Sequence, residues 1–408
     1  MQTVILAAGR GTRMHPLTDR RPKPMLPVTD RPLVAHTVDA AIEAGATSLT
    51  LVVGYEADDV RSFFGDERGG VPVEFAVQEE QRGTADAVRA AAPTLDDDEP
   101  FVVLNGDALY DVPSLSTLYD SVPAVGSYTV DNPSSYGVLD TDTDGFVTGV
   151  IEKPENPPSN LINAGSYVFP AEAQQWLNVE ESDRGELELT DVLARACDEF
   201  DVQAVAFDRW LDVGRPWELL EANEWKLSEL DGRIDGDVSD DAELTGPVVV
   251  EEGATVRSGV VIEGPALVRK GATVGPNAYV RGATVVGEGA KVGHAVEVKN
   301  SVLMEGATVG HLSYVGDSVL GRDVNFGAGT KVANLRHDGE AVRQMVKGEL
   351  VSTGRRKYGV VLGDEAKTGI NTSLNAGVRL PTGGMTKPSE SVLYDRIEGG
   401  KGDETESE

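Results

Sequence analysis

GATVRSGVVIEGPALVRKGATVGPNAYVRGATVVGEGAKVGHAVEVKN, residues 253–300, decides how the second half of the chain is built. A valine or isoleucine recurs at every sixth position, from Val250 through Val256, Ile262, Val268, Val274, Val280, Val286 and Val292 to Val298. Two residues before most of these anchors stands a small or branched residue, among them Ala254, Val260, Ala266, Ala272, Ala278 and Ala290. Such a period matches neither an amphipathic helix nor a lone strand. It is a hexapeptide repeat, and its physical meaning is a β-helix whose flat faces stack coil on coil.

Three hexads per coil place residues eighteen apart in one column, so Arg281 and Lys299, each directly after an anchor, share an edge. After Val298 the spacing contracts once per coil, through Leu303, Val309, Val315, Leu320, Phe326 and Val332. Coils of seventeen residues then put His294 and His311 in one column. The repeat breaks near residue 333, detours through a basic stretch to 357, and resumes with Leu362, Thr368, Leu374 and Leu380. From 386 the chain is an acidic tail that is expected to be disordered.

Residues 1–228 have a different texture. TVILAAG, SLTLVVG, VEFAVQ, FVVLNGD and VQAVAF are apolar strand-like runs, and LVAHTVDAAIEAG and GTADAVRAAAPTL between them read as helices. This alternation predicts an α/β domain, a parallel sheet with crossover helices, and a β-helical domain over 229–385 follows it. Ligands of such sheets sit at the carboxyl ends of strands, where LAAGRGTR and LNGD fall.

The 408 residues carry 68 acidic against 36 basic side chains, a net charge of −32 that disfavours nucleic acid and anionic membranes as partners. A surface so acidic is best tolerated where salt screens it, which suggests a high-salt setting. The single cysteine, Cys197, excludes an internal disulfide, and no signal-peptide pattern opens the sequence, so a cytoplasmic location is expected. Against this background two basic clusters, at 10–31 and 336–357, predict two separate sites for phosphorylated ligands.

LAAGRGTRM follows a strand and holds Gly9 and Gly11, so its backbone N–H groups can face a triphosphate while Arg13 and Lys23 supply charge. The longer string LAAGRGTRMHPLTDRRPKPMLPV, residues 6–28, resembles the sugar-1-phosphate nucleotidyltransferase family. The resemblance implies that Leu6, Ala8, Gly9 and Gly11 bind nucleotide, that Arg13 and Lys23 are catalytic, and that QEEQRGTADA supplies Gln78, Gly83 and Thr84 to the nucleobase. It further implies Gly137, Glu152, Lys153 and Asn163 for the sugar phosphate, from YGVL, EKP and NAG, and Asp107 of LNGD and Asp212 of WLDVG for Mg²⁺. These residue types suit the chemistry, because a phosphate nucleophile approaching an α-phosphorus needs cations rather than a general base.

The repeat itself resembles the acetyltransferase domain of the bifunctional GlmU-type enzymes, in their archaeal form, through YVRG, EVKN, GHLSYVGD and VNFGAGTKVAN. By that resemblance Arg281, Lys299, Tyr314 and Asn325 hold an amino-sugar phosphate, Asn334 meets acetyl-CoA, and His311 is the general base. A histidine suits an amine nucleophile, since imidazole exchanges protons near neutral pH. His294, followed by AVEVK, reads instead as a solvated turn residue. The expected fold is thus a Rossmann-like nucleotidyltransferase domain followed by a left-handed parallel β-helix, assembled as a homotrimer. The expected substrates are UTP (or dTTP), sugar-1-phosphates and acetyl-CoA, with UDP-N-acetylglucosamine as product. The alternative is a single-function hexose-1-phosphate uridylyl- or thymidylyltransferase with a structural or regulatory β-helix.

Overall fold

Apolar runs of five to seven residues, too short for helices, become the central strands of the first half. The computed structural model describes residues 1–397 and divides into two compact units. The first comprises Met1–Arg10, Arg21–Leu26 and Arg31–Asp212, and the second Gly11–Arg20, Pro27–Asp30 and the chain from Val213 onward.

In the first unit Gln2–Leu6 lies between Ser48–Val53 and Phe101–Asn105, parallel to both, and Val71–Val77 adds parallel to Ser48–Val53. Leu6, Val53, Val77 and Asn105 therefore end on one edge of the sheet. Leu33–Glu43 buries Leu33, Val34, Ala35, Val38 and Ala41, and Thr84–Ala91 buries Ala85, Val88 and Ala91. Asp111 starts the helix Val112–Tyr119 by accepting the Ser114 amide at 3.0 Å, satisfying one of the donors a helix start leaves open.

All five predicted strands form, but the sheet is mixed, correcting the parallel expectation. Leu161–Phe169 runs antiparallel to Phe101–Asn105, and Gly137–Thr141 pairs antiparallel with Val147–Glu152 beyond it. The hairpin strands carry a glycine, an aspartate or a glutamate among their residues and lack the continuous apolar run that marks the buried parallel strands.

In the second unit the hexads become three parallel sheets, one for each face of a left-handed β-helix. Val250 pairs with Val268, Val268 with Val286, and Val280 with Val298, all eighteen apart as the spacing predicts. From there the register shortens, with Val292 opposite Val309 and Val298 opposite Val315. The anchors point inward, and Val250, Val280, Val298, Val315 and Leu320 are all fully buried. Removing a valine side chain from water contributes roughly 1.5 kcal/mol or more, so the ladder repeats that gain at every face of every coil.

The break near 333 is an excursion. Leu320 pairs onward with Leu362, and between them Arg343–Val346 and Glu349–Ser352 form an antiparallel hairpin. The helix Pro216–Ser228 groups with the second unit, where the Trp217 ring meets Tyr358 edge-on at 6.1 Å. The β-helix also runs past 385, since Ser391–Val392 pairs with Ser373–Leu374 and Arg379 holds Asp395 at 2.8 Å. The remainder of the expected tail, 398–408, lies outside the described residues.

Candidate active sites

Strand Phe101–Asn105 delivers Asp107 just past its carboxyl end, and Ala108–Tyr110 then pairs antiparallel with Trp210–Asp212, setting Asp212 opposite Ala108. Between the two carboxylates stands Lys23, 5% exposed, its Nζ 2.6 Å from Asp107 and 4.0 Å from Asp212. A buried ammonium is tolerable only with such partners. Two carboxylates beside a place for phosphate oxygens fit Mg²⁺, a hard cation that keeps water and needs few protein ligands. No group of three or more His, Cys, Asp or Glu side chains suited to a metal occurs among the described residues.

The nucleobase segment borders a cavity of about 730 Å³ lined by Arg10, Gly54, Tyr55, Gln78 and Gln81. Gln78 is buried, and its Nε2 donates to the Gly83 carbonyl and to Asp86, both at 3.0 Å. Both partners are acceptors, so the amide orientation is fixed and Oε1 is the atom left for a ligand. Gly83 adopts φ +129°, and an added Cβ would overlap the Leu187 backbone, so glycine is required there. Thr84 accepts the Leu189 amide at 2.9 Å, and Gln81 reaches the Ala8 carbonyl at 2.5 Å. Leu6 closes its strand, and Gly9 has open space where a side chain would stand. Gly11 and Arg13 belong to the second unit, where Arg13 is exposed on the short turn Thr12–Met14.

Of the predicted sugar contacts, Gly137 and Glu152 face each other across the hairpin. Burial, more than the nearby Lys153, Glu188 and Arg184, sets the Glu152 carboxyl, raising its pKa above the ordinary value. Lys153 lies 3.4 Å from Glu152. Asn163 is buried, donating to the Tyr167 hydroxyl at 2.7 Å and accepting the Gly165 amide at 2.9 Å.

In the second unit Arg281 and Lys299 are direct register partners, as their spacing predicts. Each already meets a carboxylate: the Arg281 guanidinium holds Glu297 at 2.7 and 3.0 Å, and Lys299 holds Asp317 at 2.8 and 2.9 Å. Tyr314 lies on the next coil of the same face, and Asn334 donates to its hydroxyl at 3.1 Å. Burial, then Glu297 and Asp317, push the Tyr314 phenol above its usual pKa, so it stays protonated.

His311 stands at the corner entering this face, one coil above His294, whose carbonyl accepts the Leu312 amide at 3.0 Å. It borders a cavity of about 320 Å³ together with Leu312, Gly329, Lys331 and Asn371. Asn325 is not brought to this cluster. Its strand pairs with Thr308–Val309 and Lys367–Thr368 on another face of the coil.

The basic stretch 336–357 does not form one open patch, because Arg336 pairs with Asp338 and Arg355 with Glu224. Sequence reasoning assigned no role to Glu297 or Asp317. The signal for Asp317 was present, since it ends the VGD that follows Tyr314 and lies seventeen residues after Asn300.

Residues 2–229 match the nucleotidyl transferase family, and residues 262–391 match the GMPPB C-terminal domain. The chain is 42% identical to a "Bifunctional protein GlmU" of Methanococcus vannielii, over 93% of this chain and 92% of that one. A "Bifunctional sugar-1-phosphate nucleotidylyltransferase/acetyltransferase" of Sulfurisphaera tokodaii is 38% identical over 97% of this chain and 98% of its own. A solved Bacillus anthracis structure, provisionally assigned as a glucose-1-phosphate thymidylyltransferase, superposes with a TM-score of 0.52 at 26% identity. It covers 57% of this chain and 98% of its own. No helix among the described residues is long and apolar enough to cross a membrane.

Proposed function

The chain belongs to the bifunctional GlmU family of sugar-1-phosphate nucleotidyltransferase/acetyltransferases, and from that premise we propose that it makes UDP-N-acetylglucosamine in two steps. The observation that carries the proposal is the pair of constellations on one chain: Lys23 between two carboxylates, and Arg281, Lys299 and Tyr314 stacked on successive coils of one face, with Asn334 on the Tyr314 hydroxyl.

In the acetyl step the amine of glucosamine-1-phosphate attacks the thioester carbonyl of acetyl-CoA. The N–C bond forms, the C–S bond breaks, and CoA departs as the thiol. His311 accepts the amine's proton, while Arg281, Lys299 and the Tyr314 hydroxyl direct donors at the sugar phosphate. In the nucleotidyl step a phosphate oxygen of N-acetylglucosamine-1-phosphate attacks the α-phosphorus of UTP, and pyrophosphate leaves. Lys23 offsets the negative charge that gathers there, and Gln78 offers Oε1 to an N–H donor, which the imide of uracil or thymine has. Asp107 and Asp212 would hold the divalent cation, which when bound supplies further positive charge beside the phosphates. Asn325 lies outside the cluster within one chain, so its part in the acetyl step requires a neighbouring copy, in keeping with a trimer.

The test incubates the full chain at high salt with glucosamine-1-phosphate, acetyl-CoA, UTP and Mg²⁺, following free CoA and pyrophosphate separately. Both should appear, and CoA release should collapse in His311→Ala. Pyrophosphate from glucose-1-phosphate but never from N-acetylglucosamine-1-phosphate would instead favour a single-function hexose-1-phosphate enzyme.

A further inference from the structure

We propose that Asp317 is a positioning residue that fixes which hydrogen-bonding groups the acetyl site turns toward its amino sugar; the proposal rests on the second-site reading above. Asp317 sits at a corner of the β-helix in the left-handed region, φ +51°, directly above Asn300 at φ +46°. Asparagine and aspartate tolerate that conformation, so either residue would satisfy the corner. The backbone alone therefore does not explain why this one is an aspartate.

Its side-chain contacts supply a reason. The residue is 2% exposed, and both carboxylate oxygens are engaged. Oδ1 accepts from Lys299 Nζ at 2.9 Å and from Asn300 at 3.0 Å. Oδ2 accepts from Lys299 Nζ at 2.8 Å and from Asn334 at 2.6 Å. All the donors converge on one acceptor-only group, which an asparagine could not replace without setting an N–H against another N–H.

The consequences spread outward from that carboxylate. Asn334 Nδ2 has two hydrogens, and they go to Asp317 and to the Tyr314 hydroxyl. Its Oδ1 is then the atom left to accept from a ligand. The Tyr314 oxygen, having accepted from Asn334, keeps its own hydrogen to donate. Lys299, held by two of its N–H directions, has the third to offer. One buried carboxylate thereby gives the site two donors suited to a phosphate and one acceptor suited to an ammonium or amide N–H. Asn300 extends the brace, donating to Glu224 at 2.7 Å as well as to Asp317.

The experiment measures kcat and KM for acetyl transfer to glucosamine-1-phosphate by the full chain, with pyrophosphate release from the nucleotidyl reaction as an internal control. Asp317→Asn should lower kcat/KM by roughly 10- to 100-fold, the worth of a hydrogen bond to a charged group. Most of the loss should appear in KM for the amino sugar, and pyrophosphate release should not change. Because Asp317 acts through its neighbours, adding Asp317→Asn to Lys299→Ala or to Asn334→Ala should cost little more than the worse single change.

Losses that multiply would overturn the proposal, as would an Asp317→Asn enzyme within twofold of the parent while Lys299→Ala is impaired. If Lys299→Ala and Asn334→Ala both leave acetyl transfer intact, the second-site reading itself falls. Should Asp317→Asn not fold, the double variant Lys299→Ala with Asp317→Ala leaves no unpaired buried charge. It should fall below Lys299→Ala alone, because Asn334 and Tyr314 lose their brace, and activity equal to that of Lys299→Ala would refute the role.

Discussion

Replacing Gly316 by alanine tests whether the acetyl site depends on the contact between Tyr314 and Asn334. Gly316 is buried at the end of the strand that carries Tyr314. A methyl there would come within 2.5 Å of the Tyr314 oxygen and 2.7 Å of Asn334 Nδ2. Ordinary van der Waals contact begins near 3.4 Å, so one or both groups must retreat by roughly 0.9 Å. Their 3.1 Å hydrogen bond cannot survive such a shift. Misplacing a substrate-positioning group by about 1 Å can cost ~100-fold, or close to 3 kcal/mol of transition-state binding. The lost hydrogen bond itself removes only about 1 kcal/mol of stability. CoA release by Gly316→Ala should therefore fall by one to two orders of magnitude with a melting temperature almost unchanged, and pyrophosphate release should stay at the parent rate. Acetyl transfer within twofold of the parent would refute the reasoning, because a group free to move this far without penalty cannot be positioning substrate.

Lys23→Ala should do the converse, lowering pyrophosphate release by roughly 10²–10³-fold, as loss of one preorganised charge at a reacting centre does, and sparing CoA release. Glu152 makes a pH prediction: its folded pKa is raised, chiefly by burial, so its protonated form is favoured in the folded protein. That contribution is present below the ordinary glutamate pKa and is lost as pH rises through the raised value. Glu152→Gln should accordingly raise the thermal midpoint at neutral pH, with the gain vanishing in acid, while weakening use of the sugar phosphate. Cys197, its thiol pushed up to about 11 chiefly by burial, should react with iodoacetamide at pH 8 far more slowly in the folded chain than in denaturant. Comparable rates in the two states would contradict that burial.

Much of the β-helix was legible because its side-chain pattern and its backbone register are the same fact. Counting residues sufficed to stack Arg281 on Lys299 and His311 on His294, and to place the shortening after Val298. The first half was legible where strands write themselves as apolar runs. Gly137–Thr141 buries only its first three residues and Val147–Glu152 only Val147, and both carry polar residues, so their composition looks like loop. Side-chain partners across long separations were not legible either. Nothing local to Glu224 points to Arg355. Asp317 is the instructive case, since a corner position explains its backbone so readily that its side chain attracts no notice.

The change of register after Val298 also separates the chain into parts of different freedom. Below it, successive coils repeat with one fixed length and hand the next coil the same three faces in the same order. One complete eighteen-residue unit cut out before Arg281, or one spliced in, would leave every later residue on its own face. The distance between the two ends of the β-helix would change, and with it the reach of the helix Pro216–Ser228 to Asn300, Arg355 and Tyr358. Above the contraction, with a shorter coil and then an excursion, no segment of constant length can be exchanged in this way. The lower ladder is thus a regular stack whose number of coils is set by what the helix Pro216–Ser228 must reach beyond it.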